Sequence, residues 1–471
     1  MLILNNNTGN IKINIKVQIV KIKYILLSLC SITSVVFGQI PDSVATNIAI
    51  IKKNIFADYK GMFREPGGAL KYPYLTPGSN SYANDLWDWD SWLSNIALRQ
   101  IITDKNSETE SKQAIKYEQG CVLNFLLYTN FDGYMPILVA KKSDPEKIKP
   151  ADIYKTNMHK PVIAQHAAFL TKLNNGNAEW LREQFSLMQA FINNYESHHK
   201  HKATGLYYWQ DDLAIGVDND PSTFFRPPAS SASIFLNCMM YKELKAMAYL
   251  ANCLKLEDIS NEYNHDAEGL KAAIQKNCWD EKDGYFYSVD INLKPVTNEP
   301  SVIFGQEMIL HSGLPRSYDG LIQRIGSWSG FLAMWSGIAT PEQAKRMVNE
   351  NLSDTRTFNA AYGIRTLSKL EKMYSVRASN NPSNWAGPIW GISNYLTFRG
   401  LVDYGFDKEA KEMATKTIML FGNDYKINGA LHEYYEPDTG APVLNKGFQN
   451  WNYLVLNMID WLENKPVVKE F

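Results

Sequence analysis

Apolar side chains recur at steps of three and four over most of this chain, the spacing that gathers them on one face of an α-helix. Between residues 233 and 255, Phe235, Met239, Met240, Leu244, Met247, Leu250 and Leu254 share one broad face. The same pattern predicts helices over 43–59, 91–102, 108–127, 161–173, 178–195, 259–278, 341–352, 389–404, 408–420 and 448–462. Their ends carry the expected punctuation: Gly405 follows Tyr404 as a left-handed cap, and Pro341 after Thr340 occupies a first helical position. Strand signals are few and local. Asp283-Gly284, between Trp279 and Tyr285-Phe286-Tyr287, predicts a small hairpin, as does Asp132-Gly133 before Tyr134.

No Ser/Gly/Pro linker breaks the chain beyond Gln39, so residues 39–471 are expected to form one domain. Many helices joined by uneven loops, with acids and aromatics in those loops, imply helical hairpins around a central cleft. Periodicity alone fits a closed ring, a solenoid or an irregular bundle equally.

The first 38 residues stand apart. They hold no acid and four lysines (Lys12, Lys16, Lys21, Lys23), then a mostly apolar run over 24–37 and a small residue, Gly38. This is the layout of a signal peptide, too short to span a bilayer, and predicts a secreted, periplasmic protein cleaved after Gly38. Leu29 before Cys30 is a poor match to a lipoprotein signal. The basic stretch before Lys21 is long for an export signal, which points to a start downstream of Met1. Without these residues 44 basic side chains face 49 acidic ones, a net charge of −5. That balance favours neither nucleic acid nor an anionic membrane surface, and no partner beyond a carbohydrate substrate is expected, with the chain a monomer.

Cys121, Cys238, Cys253 and Cys278 lie outside any CxxC or Cys/His spacing, so no metal site and no cofactor is expected; buried free thiols are the simpler expectation. Nucleophile-elbow, HExxH, GxxxxGK and GxGxxG patterns are also missing.

Acids and aromatics occur together in three distant stretches: LWDWDSW (86–92), YYWQDDLAIGVDNDP (207–221) and ALHEYYEPDTGAPVLNKGFQNW (430–451). Breaking a glycosidic bond takes one carboxylic acid to protonate the leaving oxygen and one carboxylate to activate water or attack the anomeric carbon. Asp218, held by a tight Asn-Asp-Pro turn, and Glu433, among His432, Tyr434 and Tyr435, are candidates in unlike surroundings. The competing readings are a turn-forming aspartate at 218 and a calcium loop through Asp218, Asp220 and Ser222, which lacks the glycine and glutamate such a loop needs. In LWDWDSW, Trp87, Trp89 and Asp90 suit stacking and hydroxyl binding of a sugar; the rival is a helix start capped by Asp90 over core tryptophans. Trp385, Trp390 and Trp451 would each, taken singly, be core residues.

Taken in order, these stretches together with KPVIAQHA (160–167), YKELKAMAYLA (241–251), CWDEKDGYFYSVD (278–290), FLAMWSGIATPEQA (331–344), YGIRTLSK (362–369) and NWAGPIWGISNYLTFRGLVDYGF (384–406) resemble the catalytic domain of glycoside hydrolase family 63. That group includes mannosylglycerate hydrolase-like enzymes and α-glucosidases, with trehalases as cousins. The resemblance implies an all-α (α/α)6 barrel with small β-hairpin insertions and hydrolysis with inversion of an α-linked sugar. It places Asp218 as general acid, Glu433 as base, Asp90 on the hydroxyls of the sugar being cleaved with Trp87 and Trp89 as walls, and Gln165, Trp390 and Trp451 at the substrate. Three positions depart from the family pattern: Ile215 before Gly216, Asp220-Pro221-Ser222 after the acid, and Glu436 in place of asparagine. A trehalase-like disaccharide hydrolase and a non-catalytic sugar-binding barrel are the alternatives. A polysaccharide lyase fits less well, because it would need basic residues for uronate carboxylates.

Overall fold

Helices alternate along the chain between a half-exposed kind and a buried kind. α1 (Asp42–Asp58), α3 (Glu108–Leu126), α5 (Phe185–His198), α7 (Glu257–Cys278), α9 (Pro341–Arg346) and α11 (Asp407–Asn428) each keep an exposed face; the stripe that α7 buries is Tyr263, Ala267, Leu270, Ile274 and Cys278. Between them come α2 (Asp88–Lys105), α4 (Ile163–Leu173), α6 (Ile234–Cys253), α8 (Leu332–Trp335), α10 (Gly391–Asp403) and α12 (Val455–Leu462), buried over almost their whole surface. A helix covered on every side belongs inside, and one with an exposed face outside it. The alternation gives six hairpins, an inner ring within an outer ring, so the chain folds as an all-α (α/α)6 barrel. This computed structural model describes residues 40–293, 301–308, 317–378 and 381–471, and Ile40–Phe471 forms one unit. The expected signal over residues 1–38 lies outside the described residues, as does Cys30.

Local sequence explains most helix ends and the differences from expectation. Thr340 and Gln343 form a reciprocal capping box at the start of α9, and Gly405 has φ +75° just past α10. The segment expected to be helical from residue 389 begins instead as a strand, Ile389–Trp390, paired with Tyr434–Tyr435, which pairs in turn with Pro442–Val443. α11 runs past residue 420 to Asn428 because Gly422 lets it pack closely on α1; a Cβ at 422 would collide with Asn47 Oδ1. The hairpin at Asp283-Gly284 forms with Trp279 opposite Phe286. The one expected at Asp132-Gly133 does not. Asp132 instead accepts the amide of Tyr134 at 3.0 Å in a turn, and the nearby strand, Leu138–Ala140, pairs with Asp85–Trp87.

Aromatic rings close a circuit where the inner helical segments begin. Trp89 touches Phe235, then in order Trp328, Trp385, Trp390 and Trp451, and back to Trp89, with centroids 4.2 to 6.4 Å apart. The last residues tie the inner helices together elsewhere along their length. The amide of Val468 donates to Gln100 (α2), its carbonyl accepts from Asn457 (α12), and Phe471 meets Lys172 (α4) and Tyr249 (α6). Glu470 accepts from Trp335 (α8) and from Tyr395 and Arg399 (α10), whose charge holds its pKa down near 2 against burial. Cys121, Cys238, Cys253 and Cys278 are free thiols. Among the described residues no helix is long and apolar enough to cross a membrane.

Candidate active site

Four rings of the circuit, Trp89, Trp385, Trp390 and Trp451, wall a cavity of about 290 Å³ that Asp90, Asp218 and Glu433 line together. Three local structures deliver them. Asp90 stands in the first turn of α2, directly after the strand Asp85–Trp87. Asp218 follows Gly216, whose φ of +90° reverses the chain. Glu433 immediately precedes the strand Tyr434–Tyr435, and the pairing of that strand with Ile389–Trp390 sets it beside Trp390.

Glu433 is 4% exposed. Tyr82 donates its hydroxyl to both carboxylate oxygens, at 3.2 and 3.3 Å, and Asn445 donates its amide to Oε2. Burial pushes its pKa up to about 7, with Asn445 and Tyr82 opposing and the charge of Asp218 adding to the rise. A carboxylate at this value is a stronger base than an ordinary one and is still substantially ionised near neutrality.

Burial likewise raises the pKa of Asp218; hydrogen bonds from Ser383 and Asn381 and the charge of Lys160 oppose it. Lys160 lies under the loop that carries Asp218. Its ammonium is 3.0 Å from each oxygen of Asp88 and 3.3 Å from the carbonyl of Ala214, and it sits 5.4 Å from the Trp89 ring. A Cβ on Gly216 would collide with Lys160 Cε and lie 3.1 Å from Trp89. Gly216→Ala is therefore expected to cost about 1–3 kcal/mol in stability and to lower kcat/KM by displacing Asp218. A melting temperature and activity equal to the parent's would show that the turn is not pressed against Lys160.

Asp90 is held well above the usual carboxylate range by burial and by Asp88, and it accepts a hydrogen bond from Asn450. Trp87, Trp385 and Trp451 line the cavity, and their indole N–H groups are buried with no protein partner. Trp390 spends its N–H on Asn384 O at 2.8 Å and stacks on Trp385 and Tyr434.

Seven of the residues singled out from sequence, Trp87, Trp89, Asp90, Asp218, Trp390, Glu433 and Trp451, thus share one cavity. Gln165 does not join them. It sits inside α4, donating its amide to Pro161 O (2.8 Å) and Met239 O (3.1 Å), while the carboxylate of Glu243 caps that helix. In the same KPVIAQHA stretch the residue that reaches the cavity is Lys160. The helix start at LWDWDSW takes Asp88, which accepts the amide of Trp89 at 2.8 Å, and so leaves Asp90 to the cavity. Two departures from the family pattern are turn chemistry: Asp220 caps Pro221–Phe224 through Ser222 N, and Glu436 accepts the amides of Asp438 and Thr439. His432 faces Asp424, away from the cavity. Tyr82, Lys160, Asn381, Ser383 and Asn445 were not marked from sequence, since each is an ordinary loop residue until the fold brings it to an acid. Among the described residues no cluster of three or more His, Cys, Asp or Glu is placed to hold a metal ion.

The sequence profile of the mannosylglycerate hydrolase MGH1-like glycoside hydrolase domain matches residues 82–452. Mannosylglycerate hydrolase MGH1 of Selaginella moellendorffii is 22% identical over 411 residues, covering 78% of each chain. A probable trehalase of Eremothecium gossypii is 28% identical over 222 residues, 45% of this chain, and the match spans only 26% of that relative's length. Among solved structures, a GH63 mannosylglycerate hydrolase from Thermus thermophilus in complex with glucose has a TM-score of 0.57 at 18% identity, covering 88% of this chain and 98% of that one. At that identity the likeness establishes the fold.

Proposed function

The chain belongs to the mannosylglycerate hydrolase MGH1-like glycoside hydrolases, and from that premise we propose that it is an inverting α-glycosidase acting on an α-linked glucoside or mannoside. The observation that carries this reading is that Asp218 and Glu433, far apart in sequence, line one aromatic cavity, where the charge of Asp218 reaches Glu433. Asp218 donates a proton to the departing oxygen as the glycosidic bond breaks. Glu433 takes a proton from the water that attacks the anomeric carbon from the opposite face. Tyr82 and Asn445 hold the base in place; Asp90 and the free indole N–H groups take hydroxyls of the sugar. Export to the periplasm is proposed as well, on the acid-free lysine and apolar pattern of residues 1–38.

Proton NMR of the first product formed from an α-linked substrate tests the stereochemistry. The β-anomer is expected to appear first, the α-anomer only by later mutarotation. An α-anomer seen first would mean a covalent intermediate and would remove Glu433 from the role of base. A trehalase-like reading is the alternative, favoured by the similarity to the Eremothecium relative; hydrolysis confined to trehalose within a panel of α-linked sugars would select it.

A further inference from the structure

A second cavity adjoins the one that Asp218 and Glu433 line. Its volume is about 330 Å³, no smaller than the first, and Leu213 and Ala214 line both. A strand pair links the two as well. Trp87, at the first cavity, lies directly across from Leu138, which lines the second.

Leu213, on the wall common to both, has an exposed side chain on a fixed backbone. The residue is 72% exposed. Its amide donates to Asp211 Oδ1 at 2.9 Å, and its carbonyl accepts at 2.9 Å from the buried Asn157, which also donates to Asp211. The next residue, Ala214, is held at φ +58°, a left-handed conformation uncommon outside glycine, with its carbonyl on Lys160 at 3.3 Å. An apolar side chain kept in water by a pinned backbone makes a ledge, and a ligand that covers it gains the burial of that surface.

The second cavity has the mixed lining that suits a sugar. Tyr134, Leu138 and Ile148 give apolar surface for the C–H face of a ring, and the exposed Lys155 and Asp211 bring charged groups to its hydroxyls. Position decides which part of the substrate it meets. Asp218 follows Ala214 closely on one loop, and the group it protonates is the departing oxygen, so the leaving group lies on that loop's side of the scissile bond.

Resting on the α-glycosidase reading, we propose that the second cavity binds a further sugar unit of the leaving group, which crosses Leu213 to reach it. A short leaving group reacts from the first cavity alone. A longer one gains the contacts of the second, and Leu213 sets the preference between them.

The test compares disaccharides with trisaccharides that share an α-linked glucose or mannose and the same scissile bond, so that the leaving group is one sugar or two. The α-glucoside and α-mannoside of glycerate stand alongside as the shortest leaving group. For the parent, kcat/KM for the trisaccharide is expected to exceed that for the disaccharide roughly tenfold, mainly through a lower KM, since a contact made equally in ground and transition states acts on binding. Ile148→Trp, which fills the second cavity, and Leu213→Ala, which trims an exposed side chain and leaves the core alone, should each bring the ratio close to one in protein whose melting curve matches the parent's. Equal values for the two sugars in the parent, a ratio that survives Leu213→Ala, or cleavage of the glycerate compounds alone would overturn the inference and leave the glycosidase reading intact. Release of sugar from none of the compounds would remove both.

Discussion

Glu433→Gln and Asp218→Asn are each expected to lower kcat by roughly 10²–10⁴-fold, the usual contribution of one positioned acid or base, with the fold and the sugar affinity kept. Both substitutions conserve shape, and the side-chain carbonyl introduced by Glu433→Gln could still accept from Tyr82 and Asn445, which now bond the carboxylate. Turnover within a few-fold of the parent in either variant would remove that residue from the mechanism. The Glu433 change carries a second expectation, in stability. The native carboxyl titrates near 7 when folded against an ordinary value of 4.5. Below pH 4.5 it is protonated in both states and costs nothing. As pH rises through 7 the unfolded chain has already released its proton, and the folded state loses up to about 3 kcal/mol relative to acid conditions. Glu433→Gln escapes this loss. Its melting temperature should exceed the parent's at pH 8, and the two should converge near pH 4; parallel curves across that range would contradict a buried, proton-retaining Glu433.

Lys160→Met should be the most damaging single change at the cavity outside Asp218 and Glu433, the proposed catalytic pair. It leaves the carboxylate of Asp88, fully buried, without its ammonium, and breaking one side of a buried ion pair typically costs about 3–5 kcal/mol. Activity should fall too, because Lys160 supports Ala214 in the loop that carries Asp218 and its charge opposes the rise that burial gives the Asp218 pKa. Adding Asp88→Asn to Lys160→Met should restore part of the stability, since no uncompensated charge then remains inside. Denaturation midpoints of the parent, the single and the double variant decide it: a single variant as stable as the parent, or a double variant less stable than the single, would show that the pair is not what holds this corner of the barrel.

The helical order of the barrel was readable because amphipathic spacing and end punctuation act over a few residues. The apolar spacing of α7 and the proline start of α9 needed no knowledge of the rest of the fold. Reading failed where a distant partner overruled a local preference. Ile389–Trp390 joined a strand because Tyr434–Tyr435 lies beside it, and α11 outran its apolar pattern because Gly422 permits close contact with Asn47. At the cavity the same division holds. Asp218 and Glu433 stood out by their aromatic and turn-forming neighbours, while Gln165 was misplaced because a short motif gives no sign of which side chain turns inward.

What this sequence determined by itself is a succession of amphipathic helices with punctuated ends, and three stretches in which acids sit among aromatic rings. Both are local: a stripe, a cap or a turn needs only neighbours a few positions away. What only the tertiary structure decided is company. Tyr82 meets Glu433, Asn450 meets Asp90, and Lys160 meets Asp88 across long stretches of chain. Those meetings set which acids are raised, which cation is spent and which indole donors stay free, because burial and charge act through space and are indifferent to sequence order.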